Sequence, residues 1–165
     1  MRKLAIILAS ALVLIAVGAP VVVRGDDDPD FSATLQGYRE TPAISTTGRG
    51  TFEARLVGST LQYRLRYSDL TGTTMMAHIH FGQKDVAGGV SVWICGGGGR
   101  PNCPQSGTVT GAVTAADVVG PANQGIAAGE LGELLRAMRA GVTYVNVHSD
   151  LYPSGEIRGQ IRREG

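Results

Sequence analysis

Reactive side chains are scarce in this sequence, which holds two cysteines, three histidines and one tryptophan in 165 residues. It has no Cys-x-x-Cys pair, Gly-x-Ser-x-Gly elbow or His-Glu-x-x-His motif, so thiol exchange, serine hydrolysis and zinc-protease chemistry find no support. The glycine run at residues 96–99 is not followed by Gly-Lys-Ser/Thr or by a helical pattern, which excludes a phosphate loop. It reads instead as a loop between two cysteines.

Excess positive charge is also lacking. Setting aside residues 1–24 removes Arg2, Lys3 and Arg24 and no acid, leaving twelve basic and fourteen acidic residues, a formal net of −2. Binding to nucleic acid needs a basic face, and the remaining basic residues are spread over several segments. Nucleic acid is therefore not an expected partner.

What is present begins with Met1-Arg2-Lys3 and a run from Leu4 to Val23 that has no charge. Such a run is an export signal, with small residues at Ala16, Gly18 and Ala19 before a cleavage point. Twenty residues are also enough to span a bilayer as an uncleaved anchor. Both readings send everything after Arg24 out of the cytoplasm, because Arg2 and Lys3 stay inside. Membrane contact is then expected only through an uncleaved segment. Residues 25–30, four of them aspartate, read as an acidic linker in preference to a calcium site. Residues 31–165 are the expected single domain. Outside the cytoplasm Cys95 and Cys103 are expected to form a disulfide; the rival, a thiolate metal ligand, is disfavoured because lone thiols oxidise there.

The domain alternates. Phe52, Ala54 and Leu56 share one strand face, as do Leu61, Tyr63, Leu65 and Tyr67, with Gly58-Ser59 as a hairpin turn between them. Strands are expected at residues 31–36, 50–57, 61–67, 75–81, 90–95, 107–113, 142–148 and 156–162. Leu131, Leu134, Leu135 and Met138 predict a helix over 130–140 with Gly141 as its cap, and Thr114 to Asp117 carries a weak capping box. The fold class is mostly β: an antiparallel, Greek-key-like β-sandwich of about eight strands with one or two short helices.

All three histidines fall in two of these strands. His78 and His80 share a face opposite Ala77 and Ile79, while Tyr144, Asn146 and His148 share a face opposite Val145 and Val147. With the apolar faces turned inward, the imidazoles are expected on the outer surface, and the site forms if the two strands are neighbours. Three imidazoles with an open position suit copper or zinc, copper being bound more tightly in the general affinity order. A bridged copper–zinc centre would need more histidines than the chain has. Asp150 and Glu156 are the candidate partners for the outer imidazole nitrogens. Met75 and Met76 could offer a thioether but read first as packing. Three function classes follow, in order of preference: a non-catalytic exported protein that binds a transition metal through these histidines, an extracellular protein-interaction or adhesion module whose histidines are structural, and a copper-dependent oxidoreductase.

Five blocks stand out along the domain: Phe31-Ser-Ala-Thr-Leu-Gln-Gly37 with Glu40-Thr-Pro42, Gly50-Thr-Phe52, Ala77-His-Ile-His-Phe-Gly82, Tyr144-Val-Asn-Val-His-Ser149 and Pro153-Ser-Gly-Glu-Ile-Arg-Gly-Gln160. Together they resemble the CHRD domain, a module first named from chordin and found alone in many exported bacterial proteins. The resemblance implies a β-sandwich in an extracytoplasmic setting and says less about function. The histidines lie in its two most recognisable blocks, which strengthens the metal reading by analogy. In the last block Ile157 and Ile161 are expected inward and Glu156, Arg158 and Gln160 outward, either as support around the histidines or as paired strand charges.

Overall fold

A computed structural model describes residues 29–165. The expected signal or anchor segment, and most of the acidic linker, lie outside the described residues. Alternation becomes β1 (Phe31–Gln36), β2 (Arg49–Val57), β3 (Thr60–Ser68), β4 (Thr74–Phe81), β5 (Gly89–Cys95) and β6 (Gly107–Val113). After the helix α1 (Leu131–Arg139) come β7 (Thr143–Ser149), β8 (Ile157–Gln160) and β9 (Arg162–Arg163). The last expected strand is split in two, because the chain turns at Ile161 to bury that side chain while its N–H bonds the Thr143 carbonyl. Among the described residues no helix is long and apolar enough to cross a membrane.

Every pairing is antiparallel, in the order β5-β4-β7-β8-β1-β2-β3-β6, with β9 also on β1. The domain is mostly β, as expected, and its two facing layers come from one sheet that rolls until it is nearly closed. Its outermost strands, β5 and β6, are drawn together by contacts from β5 to β3 and to the segments before and after β6. Cys95 and Cys103 form the disulfide, the Tyr63 hydroxyl donates to the Ile94 carbonyl at 3.3 Å, and the Val119 N–H reaches Ser91 of β5 at 2.9 Å. Closure removes most of the unpaired strand edge that an open sheet exposes.

The period-two pattern decides what lies inside. Leu61, Tyr63, Leu65 and Tyr67 are buried while Gln62, Arg64 and Arg66 between them are exposed. Phe52, Leu35, Ile79, Val145, Val147 and Ile157 fill the interior from neighbouring strands. The helix buries Leu131, Leu134, Leu135 and Met138, the expected stripe. Its acids sit at the start and Arg136 and Arg139 at the end, matching the helix dipole, and Gly141 stops it at φ 71°. Thr114 and Asp117 form the capping box around a single 3-10 turn.

Strand β7 breaks the alternation, for all seven of its residues are buried. Val145 and Val147 face the interior, and Tyr144, Asn146 and His148 face outward under a roof of three loops, residues 37–48, 82–88 and 150–156. That roof makes the site.

Candidate metal centre

Neighbouring strands bring the three histidines together. Strands β4 and β7 pair directly, with His78 opposite Asn146, His80 opposite Tyr144 and Met76 opposite His148. The imidazoles share the outer face, as expected, but they are not on the surface. His78, His80 and His148 are only 3%, 8% and 6% exposed. Sequence alternation identifies a face; whether loops cover that face depends on long-range contacts that alternation does not carry.

The rings stand 4.9 to 6.1 Å apart between centroids, and their potential ligand nitrogens lie within 4.8 Å of one another. Backbone carbonyls set their tautomers. His80 Nδ1 lies 3.0 Å from the Gly88 carbonyl and His148 Nδ1 lies 2.9 Å from that of Pro153. A carbonyl only accepts, so both Nδ1 atoms carry the proton and both Nε2 atoms present lone pairs. His148 Nε2 in turn faces His78 Nδ1 at 3.1 Å, which makes His78 the donor of that bond. The chain of donors ends there: among the described residues His78 Nε2 and His80 Nε2 are buried without a partner. Two lone pairs withheld from water and from protein donors are costly to leave so. They are the form a metal ion takes up.

Electrostatics holds the cluster in that form. Burial pushes the pKa of His78 down to about 3, and His148 and His80 press it further down. Burial likewise lowers His80 to about 4, against the opposing pull of the Gly88 carbonyl. It lowers His148 as well, opposed by the Pro153 carbonyl. Near neutral pH all three rings are uncharged.

Aromatic packing fixes the rings. Trp93 of β5 meets His78 edge-on at 4.2 Å, and Tyr144 stacks on His80 at 4.8 Å with planes 5° apart. Tyr144 of β7 lies between His80 of β4 and Arg158 of β8, whose guanidinium carbon is 3.4 Å from the ring centroid.

The carboxylates proposed as supports are engaged elsewhere. Asp150 accepts from the Thr73 N–H at 2.7 Å. Glu156, expected outward, is fully buried and accepts from Thr46 and Ser149 hydroxyls and from the Thr71 and Gly72 N–H groups at 2.5 to 3.3 Å. Burial alone would raise its pKa, but these bonds outweigh it and hold the group below its ordinary value. It ties the loops before β2 and β4 to the end of β7. Carbonyls of Gly88 and Pro153 do what Asp150 and Glu156 were expected to do.

The carboxyl that does approach the cluster is Glu40, on the loop after β1. It is 8% exposed, and its Oε1 accepts from Asn146 Nδ2 at 3.3 Å. Burial raises its pKa to about 7, with Asn146, Arg158 and the Thr41 N–H pulling the other way. Asn146 also donates to the Ser154 carbonyl at 3.4 Å, and its Oδ1 is a third buried atom without a partner. Gly155 permits this approach: at φ 132°, a Cβ there would fall 2.4 Å from Asn146 Nδ2 and 2.5 Å from Glu40 Oε1. Sequence reading passed over Glu40 as a site residue. Its one signal was its place in the Glu40-Thr-Pro42 block.

The model of the CHRD domain matches residues 31–161, from the first residue of β1 to the turn after β8. No curated protein and no solved structure matches the chain. The matched stretch contains every residue of the cluster, its aromatic packing and the loops that roof it, and the chain belongs to the CHRD domain family.

Proposed function

We propose that this protein is an exported, non-catalytic binding module that holds one transition-metal ion through His78, His80 and His148, copper in preference to zinc. The family suggests an extracellular binding role, and family and disulfide both fit an extracytoplasmic setting. The observation that carries the metal reading is the convergence of three buried, neutral imidazoles, two of which keep a partnerless Nε2. The outer nitrogens of His80 and His148 are oriented by the Gly88 and Pro153 carbonyls, the support that metal-bound histidines need. On loading, the His78 proton would pass from Nδ1 to Nε2 so that the ion replaces the His78–His148 hydrogen bond, and the 3.1 Å between His78 Nδ1 and His148 Nε2 suits two ligands about 2.0–2.1 Å from one ion. Nitrogens on one such ion stand at most about 4.2 Å apart, so the triad would contract by a fraction of an ångström on loading. Imidazole nitrogen binds copper(II) above zinc, and Met76, in register with His148, is a soft donor on the same face.

Export of the protein into an oxidising compartment, followed by quantification of bound copper and zinc, tests this. About one ion per chain is expected for the wild type, and loss of the ion in both His80→Ala and His148→Ala. A wild type that loads nothing under copper-replete conditions, or variants that load as fully as wild type, would sink the reading.

A further inference from the structure

A recess of about 190 Å³ opens beside the histidine cluster, lined by Arg39, Lys84, Asp85, Arg158, Gln160 and Arg162. Four cations meet there against one carboxylate, in a domain whose basic residues are outnumbered by its acids. The Asp85 carboxylate is already paired with Lys84 at 3.4 Å. Among the described residues, Arg39, Arg158 and Arg162 have no carboxylate within ion-pair distance. Arg39 donates to the Thr34 carbonyl at 2.6 Å.

Arg158 is the telling member. It is 3% exposed, and among the described residues its guanidinium is met by neutral groups: the Gln83 carbonyl at 3.1 Å, the Val86 carbonyl at 2.9 Å, the Thr41 hydroxyl at 3.4 Å and the face of the Tyr144 ring. Buried cations are rarely left without a counter-charge, because desolvation is then uncompensated. Glu40 feels Arg158 electrostatically, but burial leaves that carboxyl only partly ionised near neutral pH, and no Glu40–Arg158 ion pair forms. The missing negative charge has a place to sit, in the recess that Arg158 itself lines.

We infer that this recess binds a doubly charged tetrahedral oxyanion, phosphate or sulfate, free or as the terminal group of a small ester. Arg39, Arg158 and Arg162 hold it and Lys84 stands at the rim. Guanidinium groups match such oxyanions in geometry as well as charge. The volume suits one such group and lies below the roughly 300 Å³ at which pockets for drug-sized ligands begin. A single carboxylate would offset only part of the local excess of three positive charges, which favours the dianion. The site uses none of the three histidines, so it stands or falls separately from the metal reading. Tyr144 joins the two, lying between Arg158 and His80.

Calorimetric titration of the intact protein, stripped of metal and dialysed into chloride buffer, tests the assignment with inorganic phosphate, inorganic sulfate, methyl phosphate and, as monoanion control, acetate. One-site binding of a dianion is expected, with acetate at least about tenfold weaker. Arg39→Gln with Arg162→Gln removes two exposed side chains and should weaken the dianion by about tenfold or more, and Lys84→Gln by a smaller factor. The charge-matched pair Arg64→Gln with Arg66→Gln on β3 should leave affinity within about threefold. Binding of methyl phosphate alongside the inorganic ions assigns an ester group, and its exclusion assigns the free ion. No saturable binding of either inorganic dianion, acetate binding as tightly, or equal weakening by the two double variants would overturn the proposal.

Discussion

Strands β4, β7 and β8 are buried on both faces, and the two faces are built in opposite ways. The inner one carries Ala77, Ile79, Val145, Val147 and Ile157, apolar groups that need only close packing. The outer one carries His78, His80, Tyr144, Asn146, His148 and Arg158, and the polar atoms of all but His78 reach the backbone of loops at residues 82–88 and 150–156. Among the described residues, three of the six buried side-chain atoms without a partner, His78 Nε2, His80 Nε2 and Asn146 Oδ1, lie on this outer face within one cluster. The inner face thus holds the fold together, while the outer face is stabilised only in part by the protein itself. That shortfall is what the proposed metal ion would meet.

Adjacent positions on β4 put this contrast to its strongest test. Ile79 is fully buried in the interior, and Ile79→Ala should lower stability by about 2 to 5 kcal/mol through lost transfer energy and the cavity left behind. In metal-free protein His78→Ala, one position away on the other face, should cost clearly less, since it removes a ring whose Nε2 already lacks a partner. Urea denaturation of the two variants measures both. Equal losses would mean that the outer face is a second core and the comparison fails.

The two buried glutamates divide along the same line. Glu156 is held charged by four donors, and Glu156→Gln turns an amide N–H₂ toward some of them, with an expected loss of about 1.5 to 3 kcal/mol at pH 7. Glu40 has only the Asn146 amide at 3.3 Å and the Thr41 N–H acting on it, and a pKa of about 7, so Glu40→Gln should cost less than Glu156→Gln. Reversal of that order in chemical denaturation would place the structural anchor at Glu40.

Much of the inner face was legible in the sequence, and the reason is local. Strand alternation at Leu61, Tyr63, Leu65 and Tyr67, and the three-four spacing of Leu131, Leu134, Leu135 and Met138, are written within single elements. The shared face of the histidines followed from the same rule. Their burial did not, because Gly88, Pro153 and Glu40 come from three separate loops whose approach depends on the rolled sheet. Nearness in sequence points to Asp150 and Glu156 as supports, whereas the structure gives that task to carbonyls, which leave no mark in residue type. Closure of the sheet was likewise hidden, since the pairing of β1 with β2, β8 and β9 links the two ends of the domain.

The smallest effect is a change of slope, and it tests whether the outer face sets its own charge state. In metal-free protein the lowered pKa values of His78 and His80 mean that, between about 6.5 and 4, the unfolded chain binds protons that the folded one refuses. Stability from these groups is therefore complete above the ordinary histidine range and is lost as pH falls. Glu40 works the other way. Its raised pKa means that the folded chain keeps a proton which the unfolded chain releases between about 4.5 and 7, so its contribution is complete at low pH and declines as pH rises. The two trends overlap between about 4.5 and 6.5, where Glu40 offsets part of the histidine slope. In Glu40→Gln that offset is gone, and stability should rise more steeply with pH across this window, by up to one proton's worth, converging on the wild-type slope above pH 7. Denaturation midpoints at half-unit pH steps provide the measurement. Identical slopes in variant and wild type would show that Glu40 titrates as an ordinary exposed carboxyl and that the roof over the outer face is open to water.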